Sequence, residues 1–256
     1  FVRFGDRVVM MPDKRVLNLK YRLLGRLENK GELPETGNLY DAYVGYDEGG
    51  HFIVWVWDGK QWVDNGWFDE PIETTGKFSE ITVKNGELHG EAASGNTIEV
   101  TYTYEYVTSS LRLREGDAVT ISGMNVEGNN KTAVIREIVE GTGGKCELRF
   151  SDYCFSIPED EESYTETNIT IARTMPDVDI LFEHDNRLWG AKGKEIFASK
   201  TGDPFNWNSF ELLSTDSYYL QTQSKGEFTA GISYGGYPRF FREGSMTTVY
   251  GTEPTA

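Results

Sequence analysis

The sequence predicts an all-β chain, and three observations carry the prediction. Apolar residues recur at spacing two in short runs, as in Thr97-Ile98-Glu99-Val100-Thr101-Tyr102. Turn dipeptides such as Asp58-Gly59 and Asn85-Gly86 punctuate those runs. No long window carries a helical period; Leu212–Leu220 is the best short-helix candidate, and Ser214, Thr215 and Ser217 weaken it. The expected architecture is a set of partial β-propeller-like blades over 1–27, 71–108 and 173–256. Two modules interrupt them: a Trp-rich β-meander at 28–70 and a small SH3-like or OB-like β-barrel at 109–172.

Val2–Met11 reads as a hairpin about Gly5-Asp6, stopped by Pro12-Asp13. Val16–Leu24 fits a strand or a short helical turn. The meander follows: Tyr40–Tyr46, the turn Asp47–Gly50, Phe52–Trp57, Asp58-Gly59, then Gln61–Val63. Trp55 and Trp57 are two apart, so they share a face of their strand. Ser79–Val83 leads to a turn at Asn85-Gly86, and Ile98, Val100, Tyr102 and Tyr104 form the face expected to be buried. The barrel is read from Leu111–Arg114, Gly116–Gly123, Thr132–Val139, Cys146–Phe150 and Asn168–Arg173, with a turn at Gly141–Gly144. Blade-like strands resume at Val178–Phe182, Arg187–Ala191, Glu195–Ser199, Phe228–Tyr234, Arg239–Arg242 and Thr247–Tyr250.

Composition narrows the function. With 256 residues, 13% aromatics, 28 glycines and 8 prolines, the chain can bury a core and is not a disordered segment. A net charge of -16 repels phosphate and argues against sequence-specific nucleic-acid binding. It suits either a soluble surface or an acidic wall facing DNA in a conduit. Cys146 and Cys154 can pair across a hairpin, but two cysteines make no disulfide framework, and free thiols of a reducing cytoplasm are the expectation. His51, His89 and His184 lack metal-ligand spacing. No apolar run is long enough to span a membrane and no signal peptide is recognisable. The chain opens on a strand pattern at Phe1 and ends without a closing element, as expected of a domain cut from a longer polypeptide.

No P-loop, no Rossmann glycine pattern and no Ser/His/Asp set at motif spacing is present. Glu159–Glu162 lacks the alternating ligand spacing of a Ca²⁺ loop and reads as a solvated acidic turn. Glycosidase chemistry needs two carboxylates held about 5–10 Å apart, a distance that sequence does not give. Four tryptophans, Trp55, Trp57, Trp62 and Trp67, fall within thirteen residues. They are either a sugar-stacking platform or the core of a small meander, and the core reading is favoured because large aromatics supply most of such a module's apolar area. Trp67 is the one expected at the surface.

The stretch Ser199-Lys200-Thr201-Gly202-Asp203 … Trp207 is similar to the Asp-box turns of sialidase-type propellers, with Gly and Asp in a different order. In such a turn Asp203 caps backbone N–H groups and Trp207 plugs the space between strands, a structural role. A sialidase also needs an arginine cluster, and Arg187, Arg239 and Arg242 are too few to argue one.

Three pieces together resemble tail structural proteins of bacteriophages and prophages. Residues 176–251, with Asp185–Gly190 and Ser214–Tyr218, look like their propeller region. Gly116–Gly123 through Asn129–Thr132 is similar to a barrel inserted in such propellers. Leu33-Pro34 … Gly37-Asn38 … Asp41–Tyr43 … Trp57–Val63 … Gly66 looks like a small module of tail and fibre proteins. The resemblance implies a non-enzymatic virion-tail component, made in the bacterial cytoplasm and acting through assembly surfaces. It implies no cofactor, and as partners other tail proteins and further copies of itself in a homo-oligomer. A glycan-binding module for host recognition, using the tryptophans, is the first alternative and a propeller glycosidase the second.

Overall fold

The computed structural model describes residues 1–46, 52–64, 69–85, 87–88, 91–92, 98–103, 113–140, 145–150, 155–158 and 161–251. Among them the regular structure is β, with 3-10 turns at Lys30–Glu32 and Glu127–Asn129 and no α-helix. The chain divides into two compact units, Phe1–Pro71 and Ile72–Ala256.

The first unit holds two sheets. β1 (Val2–Phe4), β2 (Arg7–Met10), β3 (Arg15–Asn18) and β8 (Asp69–Pro71) pair antiparallel in that order. Val9 pairs with Val2 and Val16, and with Phe4 these residues put the buried side chains on one face. β4 (Arg22–Arg26), β5 (Asp41–Tyr46), β6 (Phe52–Trp57) and β7 (Trp62–Asp64) form the second sheet, in which β4 runs parallel to β5. Thus Val16–Leu24 divides between two strands. The meander's sheet also recruits Arg22–Arg26, while Asp69–Pro71 crosses to the first sheet.

This second sheet is covered on both faces. Ala42, Val54 and Val56 pack together on one, and Trp55 and Trp57 are buried on the other. At the β6–β7 turn Gly59 has φ +103°, and the Asp58 carboxylate accepts from the N–H groups of Lys60 and Gln61 at 2.7 and 2.8 Å. One carboxylate thereby satisfies two turn donors.

The second unit begins with a six-stranded sheet of cyclic pairing. Its strands are β9 (Thr74–Asn85), β12 (Ile98–Thr103), β13 (Ala118–Ser122), β14 (Thr132–Glu140), β15 (Lys145–Phe150) and β16 (Ser163–Arg173). The order β12-β15-β14-β13-β16-β9 returns to β12, so each strand is paired on both sides. β10 (Glu87–Leu88) and β11 (Glu91–Ala92) pair as a small hairpin. The core contains Phe78, Ile81, Val119, Ile121, Leu148 and Phe150. β9 and β12, grouped by sequence with the blade-like strands, belong to this sheet. Besides pairing with each other, they pair with strands at 145–173, and such distant pairing leaves no local signature.

β17 (Ile180–His184), β18 (Arg187–Lys192), β19 (Glu195–Ala198) and β20 (Tyr218–Gln221) make a four-stranded antiparallel sheet. β21 (Ala230–Tyr234), β22 (Tyr237–Arg242) and β23 (Ser245–Thr248) make a three-stranded one. Trp189, Ala191, Ile196 and Phe240 share one buried core between these two sheets. Gly231 permits the close approach: a Cβ there would lie 2.5 Å from Phe182 Cε1 and 2.9 Å from Ile180 Cγ2.

The weak short-helix candidate Leu212–Leu220 is not helical. Leu212 takes φ +67°, the Asp216 carboxylate accepts from the N–H groups of Glu211 and Leu213, and Tyr218–Gln221 is strand. Side-chain capping of the loop backbone outcompetes helical pairing here. The side chains of Ile98, Val100 and Tyr102 and the thiol of Cys146 lie outside what the structure describes. So do His51, Trp67, Gly86, His89, Tyr104, Leu111, Arg112, Gly141–Gly144, Cys154, Glu159 and Asp160.

Candidate functional site

Three places bring together the residues that sequence singles out, or residues near them. The first is the tryptophan cluster. Strand alternation sends Trp55 and Trp57 to one face, where they are 1% and 7% exposed. Trp62, half-buried on β7, stands edge-on to Trp57 at 5.4 Å and to Tyr43 at 5.5 Å. Its Nε1 donates to Pro34 O at 2.7 Å, which fixes the ring against the 33–38 loop. Gly37 and Gly45 leave room for the indoles: a Cβ on Gly37 would sit 3.0 Å from Trp62, and one on Gly45 2.6 Å from Trp55. Neither Trp55 nor Trp57 offers an open ring face to a sugar.

The second is the loop from Ser199 to Ser217. The Asp203 carboxylate accepts from Phe205 N–H at 2.9 Å, and Trp207 is buried with its Nε1 donating to Pro204 O at 3.0 Å. Both hold the turn. The aromatic that reaches the six-stranded sheet is Phe205, which sequence reading passes over. The Arg114 and Arg173 guanidinia lie 4.4 and 5.2 Å from its ring centre. Asn206 Nδ2 donates to Gly116 O at 2.7 Å, and Arg136 pairs with Glu211.

Beneath Phe205 lies a buried ion pair. Arg173 Nη1 is 2.6 Å from Asp117 Oδ2, and Arg173 Nε donates to Ile72 O at 2.8 Å. Asp117 also accepts from Arg114 N–H at 2.9 Å. Burial pushes the Asp117 carboxyl above its ordinary range, and the Arg173 charge opposes that rise. No sequence rule links residues 56 positions apart.

Arg187 is buried in the same loop's floor. Its guanidinium donates to the carbonyls of Ser199, Ser214 and Asp216, and desolvation lowers its pKa. Arg242 rests 3.7 Å over Phe228 and donates to Thr222 and Thr247 hydroxyls. Two of the three arginines weighed for a carboxylate clamp are therefore engaged inside the frame. Among the described residues no group of His, Cys, Asp and Glu is placed to hold a metal ion, and no helix is long and apolar enough to cross a membrane.

The third place is a cleft of about 370 Å³ where the β17–β18 and β21–β22 turns meet. His184 and Asp185 line one side, Gly236, Tyr237 and Pro238 another, and Val249 and Gly251 the third. Asp185 and Asn186 both have positive φ, the geometry of a tight two-residue hairpin turn. His184 Nδ1 lies 2.7 Å from Ser233 Oγ. The Tyr237 and Tyr250 rings are 5.0 Å apart at 58°. Sequence reading named the strands that flank these turns but not the turns' meeting, which depends on how two sheets pack.

Comparison of the chain with family models, with curated proteins and with solved structures finds no match.

Proposed function

We propose that this chain is a non-enzymatic structural component of a phage or prophage tail, acting through protein–protein assembly surfaces. The observation that carries the reading is the outer face of the β21–β23 sheet. Its inner face is packed, yet Ile232, Phe241 and Met246 on the other side remain 47%, 36% and 48% exposed. Arg239, opposite Ile232, shares this face and lies over the Tyr234 ring. A sheet buried on one side and largely apolar on the other is half of an interface. In this reading the three antiparallel sheets β1-β2-β3-β8, β17–β20 and β21–β23 are propeller blades. The Trp-rich sheet and the six-stranded cyclic sheet, an SH3-like or OB-like barrel, are insertions. Partners are other tail proteins and further copies of the chain.

The burial of Trp55 and Trp57 takes support from a glycan platform at the tryptophans. The engagement of Arg187 and Arg242 takes it from a sialidase-like hydrolase. Immunogold electron microscopy of induced particles, with antibody against this chain, tests the proposal. Discrete label on the tail supports it. Label absent from intact and disrupted particles, with the protein confined to the lysate, overturns it.

A further inference from the structure

We propose that the cleft between the β17–β18 and β21–β22 turns binds a neutral oligosaccharide. The inference is independent of the assembly role, since a tail component and a soluble lectin can carry the same cleft.

The walls are preorganised. Asn186 N–H is held by the Glu183 carboxylate at 2.9 Å, Trp189 Nε1 donates to His184 O at 3.3 Å, and Val249 N–H donates to Pro238 O at 3.0 Å. Fixed walls lower the ordering cost of binding. The volume, about 370 Å³, lies at the small end of ligand sites.

The chemistry of the lining selects the ligand. Tyr237 lines the cleft, and Tyr250, between the lining residues Val249 and Gly251, lies beside it with ring centres 5.0 Å apart. The two rings, 39% and 75% exposed, offer amphipathic surface at the cleft's rim to the C–H faces of a sugar. The Asp185 carboxylate is exposed and makes no hydrogen bond to the described residues, leaving it open to hydroxyl donors. His184 is fixed through Nδ1, and its Nε2 has no partner among the described residues. No lysine or arginine lines the cleft; Arg239 lies outside it, over Tyr234 at 5.2 Å. With a carboxylate and no cation at the lining, phosphorylated or acidic glycans are disfavoured. The Gly236 backbone leaves open space above it, so a ring can approach without displacing a side chain.

The test is saturation-transfer NMR on the full chain with maltoheptaose, chitotetraose and mannotetraose as probes and 3′-sialyllactose as the anionic control. Saturation transfer to at least one neutral probe, without transfer to the control, is the expected result. Tyr250→Ala and Asp185→Asn each weaken that binding about tenfold, the scale of one lost contact to a charged or stacking group. Both positions are exposed, and Asn tolerates the φ of +53° at residue 185, so the variants fold. Circular dichroism verifies that. A Trp62→Phe variant binds as the parent does. Three outcomes overturn the proposal: no saturation transfer to any neutral probe, binding by Tyr250→Ala and Asp185→Asn undiminished from the parent, or loss of binding in Trp62→Phe alone.

Discussion

Replacing Arg173 by Met keeps most of the side-chain volume and removes the guanidinium that faces Asp117. Both partners are buried, and their nitrogen and oxygen are 2.6 Å apart. Breaking such a pair leaves a carboxylate without its cation in a poorly solvated place and costs about 3–5 kcal/mol. In the unit Ile72–Ala256, each kcal/mol corresponds to about 2–4 °C, so calorimetry of the full chain should show a fall of about 6–20 °C. Asp117 supplies a second, signed readout. Its folded pKa already lies above the ordinary value and rises further once Arg173 is gone. A raised folded pKa means stability present below the unfolded value, about 3.9, and lost as pH rises through the folded one. The deficit of Arg173→Met therefore widens with rising pH. Asp117→Asn/Arg173→Met removes the stranded charge and recovers more than half of the loss. A fall under about 2 °C at pH 8, or a double variant less stable than Arg173→Met, would refute the reasoning.

Other sites give independent tests. Gly231→Ala forces a Cβ to within 2.5 Å of Phe182 and should cost about 1–3 kcal/mol in denaturant unfolding. Asp203→Ala removes the acceptor of Phe205 N–H, costs about 0.5–2 kcal/mol, and should speed hydrogen exchange at Phe205. In the first unit, backbone N–H donation from Asn38, followed by Arg22, holds the Asp41 carboxyl below its ordinary range. Its contribution is present above the unfolded value and lost as pH falls through the folded pKa. An acid titration of stability in Asp41→Asn should therefore be flatter below pH about 4 than in the parent.

Local rules recovered what local chemistry decides. The strand Phe52–Trp57 and the shared face of Trp55 and Trp57 follow from alternation and from Asp58-Gly59, and the structure has both. The hairpin about Gly5 is likewise written in a turn residue that tolerates positive φ. Partner choice was not legible. β9 runs antiparallel to β16, Thr82 opposite Thr165, across more than eighty positions, and nothing near Thr82 specifies that neighbour. Likewise Phe205 is an ordinary loop aromatic in sequence. Its place between Arg114 and Arg173 exists only after the cyclic sheet has formed.

The arginines connect the frame to the functional reading. In a chain of net charge -16, Arg173, Arg187 and Arg242 are nevertheless buried. A buried cation needs nearby acceptors or an aromatic face, and each has a different set: a carboxylate for Arg173, loop carbonyls for Arg187, hydroxyls and Phe228 for Arg242. These three cations are thus committed to holding loops and sheets together. Ile232, Phe241 and Met246 are exposed on the β21–β23 sheet, and Tyr237, Tyr250 and Asp185 are exposed at or beside the cleft, the surfaces on which the proposed assembly and sugar-binding roles rest. The proposed assembly and sugar-binding roles predict that substitutions of exposed Ile232, Met246 and Tyr250 leave the melting temperature nearly unchanged while altering association or sugar binding. The same assays on Arg187→Met should show the reverse.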